Sequence, residues 1–181
     1  MQQIFKKILK DPRYKANLDW GKPRNGHPEG TIRAHIAELE RNLDALIPEI
    51  TEEQYWKLRV LIHTHDTFKA DAKPGAAITD PESHASLARQ FLAEYCQDSD
   101  LLNMVQYHDE SFALWRHAQL RSKHYEERLE RLLDTIEDWE LFLLFNIIDG
   151  CTAGKDREPI RWFLDEANNR LHTAVTSEMV L

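Results

Sequence analysis

Cysteine is nearly absent. Cys96 and Cys151 are the only two in 181 residues, and no CxxC spacing links them. The fold therefore has to stand without a disulfide framework, and the thiols point to a reduced, cytoplasmic setting. Long apolar runs are missing too. The longest is Leu141 to Phe145, far too short to span a bilayer. Met1-Gln2-Gln3-Ile4-Phe5-Lys6-Lys7 lacks the apolar stretch of a signal peptide. Positive charge is in deficit, with 23 Lys plus Arg against 31 Asp plus Glu and a net charge of −8. Such a chain has no general attraction to nucleic acid or to an anionic membrane. A small anionic substrate remains compatible, because bound cations reverse the field inside a pocket. Oligomeric state is left open.

No segment alternates with period two, and no internal repeat or low-complexity stretch is present. Helical periodicity dominates, so the fold class is all-α. The length suits one domain, 1–181, with a core over 27–150. The pattern predicts a short helix over 1–10 and a long loop over 11–30, rich in Pro and Gly. Thr31 caps a helix over 32–47, and Thr51 with Gln54 opens another reaching Asp66. After a loop over 67–80, Thr79 with Glu82, and Pro81 in the first turn, start a third helix to Tyr95. Further helices are expected over 99–108, continuing toward Leu120, and over 122–134, 137–150 and 157–174.

Nine histidines are the compositional oddity. Several fall on apolar faces. His35 shares a stripe with Ile32, Ile36 and Leu39. His65 follows Leu61 and Ile62, His84 leads Leu87, Ala88 and Phe91, and His108 follows Met104 and Val105. Asp149 ends the run Leu141–Ile148. One such residue alone is an ordinary core histidine or a helix-end carboxylate. Five helices each aiming one inward is different, since buried charge is costly unless paired and no Lys or Arg lies in these stripes. Convergence on a divalent cation satisfies all of them. A nitrogen–oxygen set of this kind suits iron, manganese, cobalt, nickel or zinc. His63 points away from His65, while His117, His124 and His172 read as surface residues. Cys151 reads as a small buried residue, and Trp115, Trp139 and Trp162 as core packing.

The ordered set His35, His65-Asp66, Asp149 resembles the HD-domain superfamily, named for its His-Asp doublet. The resemblance covers about 27–150. The stretch His65-Asp66-Thr67-Phe68-Lys69 looks like the HDxxK variant, and His84 and His108 match the extra histidines of dinuclear members. Tyr107-His108-Asp109-Glu110 is similar to the HHE run of the cyclic-dinucleotide phosphodiesterase branch, but Tyr107 replaces its first His and the GYP signature is absent. The resemblance implies a helical bundle with the metal site in its core between helices. Asp66 would bridge two ions, Fe or Mn first and Ni, Co or Zn as alternatives. His35, His65 and Asp149 would complete one site, and His84 with His108 the other. The implied activity is metal-dependent hydrolysis of a phosphomonoester or phosphodiester, such as a nucleotide. Asp66 and Lys69 would be the catalytic residues, with Lys69 reaching toward substrate phosphate. His27 and Glu29, in the loop before His35, could border the pocket, and Lys155, Arg157 and Arg161, after the Asp149 helix, could hold an anion. The runner-up is a di-iron oxygenase of the same type cleaving a C–C or C–P bond. A non-catalytic nucleotide-binding module comes third.

Overall fold

The computed structural model describes all 181 residues. It contains ten α-helices, two short 3-10 turns and no strand, so the all-helical class is the one observed. The helices are α1 (Gln2–Ile8), α2 (Pro12–Asn17), α3 (Ile32–Leu46), α4 (Glu52–Thr64), α5 (His84–Ala93), α6 (Ser99–Gln106), α7 (Glu110–Gln119), α8 (Tyr125–Thr135), α9 (Trp139–Gly150) and α10 (Glu158–Arg170).

The axis of the molecule is α9. Trp139 and every residue from Leu141 to Ile148 are buried. A helix apolar all round must be surrounded, and α3, α4 and α10 pack against it. Asn42 on α3 ties the two helices by donating to the carbonyl of Ile148 at 2.8 Å. At the other end, Asp100 accepts from the backbone N–H groups of Glu137 and Asp138 at 2.9 and 2.8 Å, fixing the entry to α9. Gly150 lies at the α9–α10 crossing, where an added Cβ would come within 3.1 Å of the Ile160 Cβ and the packing would have to give by a few tenths of an ångström. One cluster of 40 buried apolar residues runs through the whole assembly, from Phe5 to Val175.

Several boundaries differ from the expected ones. The loop over 11–30 contains α2, started by Asp11, whose side chain accepts from the Arg13 N–H at 2.7 Å. Proline at the first helical position favours a helix start there, and the density of Pro and Gly hid it. The third expected helix begins at His84, not near Pro81. Ser83 caps it by accepting from the Ser86 N–H at 3.1 Å, and also donates to the Ile78 carbonyl at 2.8 Å. Glu82 instead closes a turn by donating its N–H to Asp80. The helix starting at Ser99 stops at Gln106, and α7 begins after a break at Tyr107–Asp109. Trp139 is buried in the core and half-buried Trp162 packs against it as expected, while Trp115 is half-buried and His117 is half-buried rather than on the surface. His124 and His172 are exposed. His63 lies in the core, away from the His65 side. Its Nε2–H donates to Glu40 at 2.7 Å and its Nδ1 accepts from the Tyr14 hydroxyl at 2.6 Å.

Phe142 is fully buried on the axis. Phe142→Ala should cost about 3–5 kcal/mol in denaturant unfolding. Ser83→Ala, which removes one cap, should cost about 1 kcal/mol. A larger loss at Ser83 than at Phe142 would contradict this account of the core.

Candidate metal centre

Five chain segments deliver the inward polar residues, each at or beside a helix end. His35 lies in the first turn of α3, held by the Thr31 cap on the Ala34 N–H. His65 is the C-cap of α4 and Asp66 follows it in a turn. His84 opens α5. His108 sits in the break between α6 and α7. Asp149 is the second-last residue of α9. Bringing these helix ends together lets side chains from five segments converge on one place.

The six residues form two groups. The ligand atoms of His35, His65 and Asp149 lie within 4.8 Å of one another, as do those of Asp66, His84 and His108. Asp66 belongs to both in geometry. Its Oδ2 is 3.8 Å from His35 Nε2 and 3.5 Å from His65 Nε2. Its Oδ1 is 3.7 Å from His84 Nε2 and 3.4 Å from His108 Nε2. The His35 Nε2 to Asp149 Oδ1 distance is 3.1 Å, and the two imidazole Nε2 atoms of His84 and His108 are 3.2 Å apart.

The ring orientations are set from behind. His35 Nδ1–H donates to Glu29 Oε1 at 2.9 Å. His65 Nδ1–H donates to the carbonyls of Leu61 and Ile62 at 3.1 and 3.2 Å. His108 Nδ1–H donates to the Val105 carbonyl at 2.8 Å. These acceptors carry no proton, so Nδ1 must be the donor and Nε2 faces the centre. This is the outer-shell arrangement of metal-binding histidines. His35 Nε2, His65 Nε2 and Asp66 Oδ1 are buried and have no hydrogen-bond partner. Three orphaned polar atoms converging in one place fit a divalent cation, because buried polar groups otherwise find partners.

Electrostatics agree. Burial holds His65 down at about 3, so it is a neutral imidazole with a free lone pair. Burial also opposes charge on His35, yet the carboxylates of Asp149 and Glu29 raise it to about 9. Burial likewise opposes charge on His108, and Asp109 and Asp66 raise it to about 9. Burial pushes Asp66 and Asp149 up, but neighbouring Lys69 and Lys155 respectively, with the imidazoles, keep both well below the usual carboxylate range. Positive charge thus gathers at the carboxylate oxygens where a divalent ion would bind.

The second set of expected residues is placed unevenly. A cleft of about 530 Å³ opens beside the site, lined among others by His27, Asp109, Phe112, Asn146, Asp149 and Lys155. Glu29 does not line it. Its side chain is buried, accepting from His35 and from His27 Nδ1 at 3.0 Å. Those bonds hold it at about 2, against the effect of burial. Gly30 allows this fold-back, with φ +81° and a Pro23 ring where a Cβ would sit. Lys69 does not reach into the cleft; its ammonium pairs with Asp66 Oδ2. Lys155 lines the cleft and donates to Asp149 Oδ1 at 2.9 Å. Arg157 is not open to an anion, since its guanidinium donates to the carbonyls of Gly150, Cys151, Thr152, Lys155 and Leu181. Arg161 donates to the Ser177 carbonyl. Asp109 was not singled out by sequence. Its Oδ2 is 3.3 Å from His84 Nε2 and 3.5 Å from His108 Nε2. The available signal was its place directly after His108, at a helix start.

Asp66→Ala should abolish binding of Mn²⁺ to both groups, whereas Glu29→Gln, which disturbs the bonds that orient His35 and His27 without removing a ligand, should weaken binding by about 10–100-fold. Chelator competition measures both. Wild-type affinity in Asp66→Ala would remove this carboxylate from the centre. No family model, curated protein or solved structure matches the chain, so the reading of the site rests on its own geometry.

Proposed function

We propose that this chain is a metal-dependent phosphohydrolase of HD type, cleaving a phosphate ester with a pair of divalent ions. One observation carries the reading. Asp66 is buried and turns one oxygen toward His35 and His65 and the other toward His84 and His108. A carboxylate shared between two histidine pairs is the arrangement of a bridging ligand. The nitrogen–oxygen donor set suits Mn or Fe ahead of Mg. Such a pair, when bound, supplies a water of lowered pKa and neutralises charge on phosphoryl oxygens.

The chain's own residues do the rest. Lys155 and His27 stand on the cleft wall, where an anionic ester would enter. His27 has its Nδ1 engaged by Glu29, which leaves Nε2 for the substrate side. Phe112 is half exposed and stacked on Trp115 at 5.6 Å between ring centroids, so it offers an apolar surface to the organic part. Lys69 neutralises Asp66 and has to yield Oδ2 to an ion. Its removal therefore takes away a competitor for the metal site rather than a ligand.

The test is a panel of nucleotides, sugar phosphates and cyclic dinucleotides, assayed with Mn²⁺ under nitrogen for released phosphate or nucleoside. Turnover is expected, with Lys155→Ala lowering kcat by about 10²–10³-fold, on the scale of losing one charge-stabilising donor. Metal content should be unchanged in Lys155→Ala and no lower in Lys69→Ala. No turnover across the panel, together with substrate-dependent oxygen uptake by the iron form, would replace this reading with a di-iron oxygenase.

A further inference from the structure

The two histidine pairs are not equally supplied with carboxylate by the expected ligands. His35 and His65 have Asp149 to themselves and share Asp66. His84 and His108 have only the shared Asp66. Asp109 corrects this imbalance. Resting on the two-ion reading above, we propose that Asp109 is a metal ligand alongside His84 and His108, the counterpart of Asp149. Each ion would then have two imidazoles, one carboxylate of its own and one oxygen of Asp66.

Three observations converge. The Oδ2 of Asp109, His84 Nε2 and His108 Nε2 form a triangle with edges of 3.3, 3.5 and 3.2 Å. Those are the spacings of neighbouring ligands around one ion, since donors about 2.1 Å from a metal lie roughly 3.0–3.4 Å apart. Next, Asp109 holds the N-cap position of α7, where an aspartate ordinarily accepts from the helix N–H groups. Its backbone is helical there, and its side chain makes no cap bond. The carboxylate turns instead toward the imidazoles. Finally, Asp66 Oδ1, buried and without a hydrogen bond, is aimed at the same two Nε2 atoms from the protein side.

The arrangement makes the pair unequal in access. The side chains of His35 and His65 are 4 % and 1 % exposed and that of Asp149 is 20 % exposed. In the other group His84 is 22 % and Asp109 52 % exposed while His108 is 1 % exposed, and Asp109 and Asp149 both line the cleft. The ion held by Asp109 would therefore be the one more open to exchange with solution.

The experiment is a titration of the full-length wild-type protein, Asp109→Ala, Asp109→Asn and Asp149→Ala with Mn²⁺. Free Mn²⁺ is followed by its electron paramagnetic resonance signal, and folding by circular dichroism. Wild type should bind two ions, with EDTA stripping one well before the other. Asp109→Ala should weaken only the faster-exchanging ion, by at least the roughly 10–100-fold seen for outer-shell changes. Asp109→Asn, which keeps the shape and loses the charge, should weaken the same ion. Asp149→Ala should act on the slower one. Two-ion binding unchanged in both folded Asp109 variants would overturn this inference alone. Should Asp109→Ala fail to fold, Asp109→Asn decides by the same criterion. A wild type that binds no Mn²⁺ would overturn both this assignment and the metal reading it rests on.

Discussion

Asp66 places an ionised carboxylate among buried apolar helices, and much of the surrounding structure answers to that charge. Burying such a group without compensation costs several kcal/mol. Compensation comes from Lys69 and His108 here, and Lys155 and His35 do the same for Asp149. These cations are gathered from four separate segments. None is adjacent on a single helix stripe, which is why the chain must bring helix ends together before the charges can be tolerated. The outer carboxylate, Glu29, extends the same logic by holding His35 and His27 through one oxygen.

The apolar framework makes that gathering possible. Along α9 the chain is buried all round, so α3, α4 and α10 have a fixed surface to pack on. Its last turn delivers Asp149, and its crossing with α10 at Gly150 brings the Lys155 loop back over that carboxylate. The ties at Asn42 and Asp100 act on the two ends of the same helix. Packing thus sets the position of the site to within a side chain's reach, and hydrogen bonds to Nδ1 set its orientation.

Legibility in the sequence followed the physics of each feature. Residues whose burial is written in helical period were readable: His35 among Ile32, Ile36 and Leu39, or Asp149 after an apolar stretch interrupted only at Asn146. The Thr51–Gln54 capping box was readable because both partners lie in one turn, and both bonds form. Features that depend on competition between nearby signals were not. Asp11 and Pro12 start a helix inside a stretch whose Gly and Pro content suggests loop. Thr79 and Glu82 have capping spacing, but Ser83 wins because its hydroxyl also reaches the Ile78 carbonyl.

The helical class, the inward faces and the identity of the polar residues on them are legible in the amino-acid order, because periodicity is a local property of the chain. How those residues divide is settled by the packing of distant segments. That Asp66 turns its oxygens to different histidine pairs, that Asp109 joins His84 and His108, and that Glu29 stands behind His35 all depend on contacts between distant segments. The same holds for the cations. Lys69, Lys155, Arg157 and Arg161 look alike in sequence, yet one pairs with Asp66, one spans Asp149 and the cleft, and two are bound to backbone carbonyls. A charged side chain's role is set by the partner that reaches it first, and that partner is fixed by the fold.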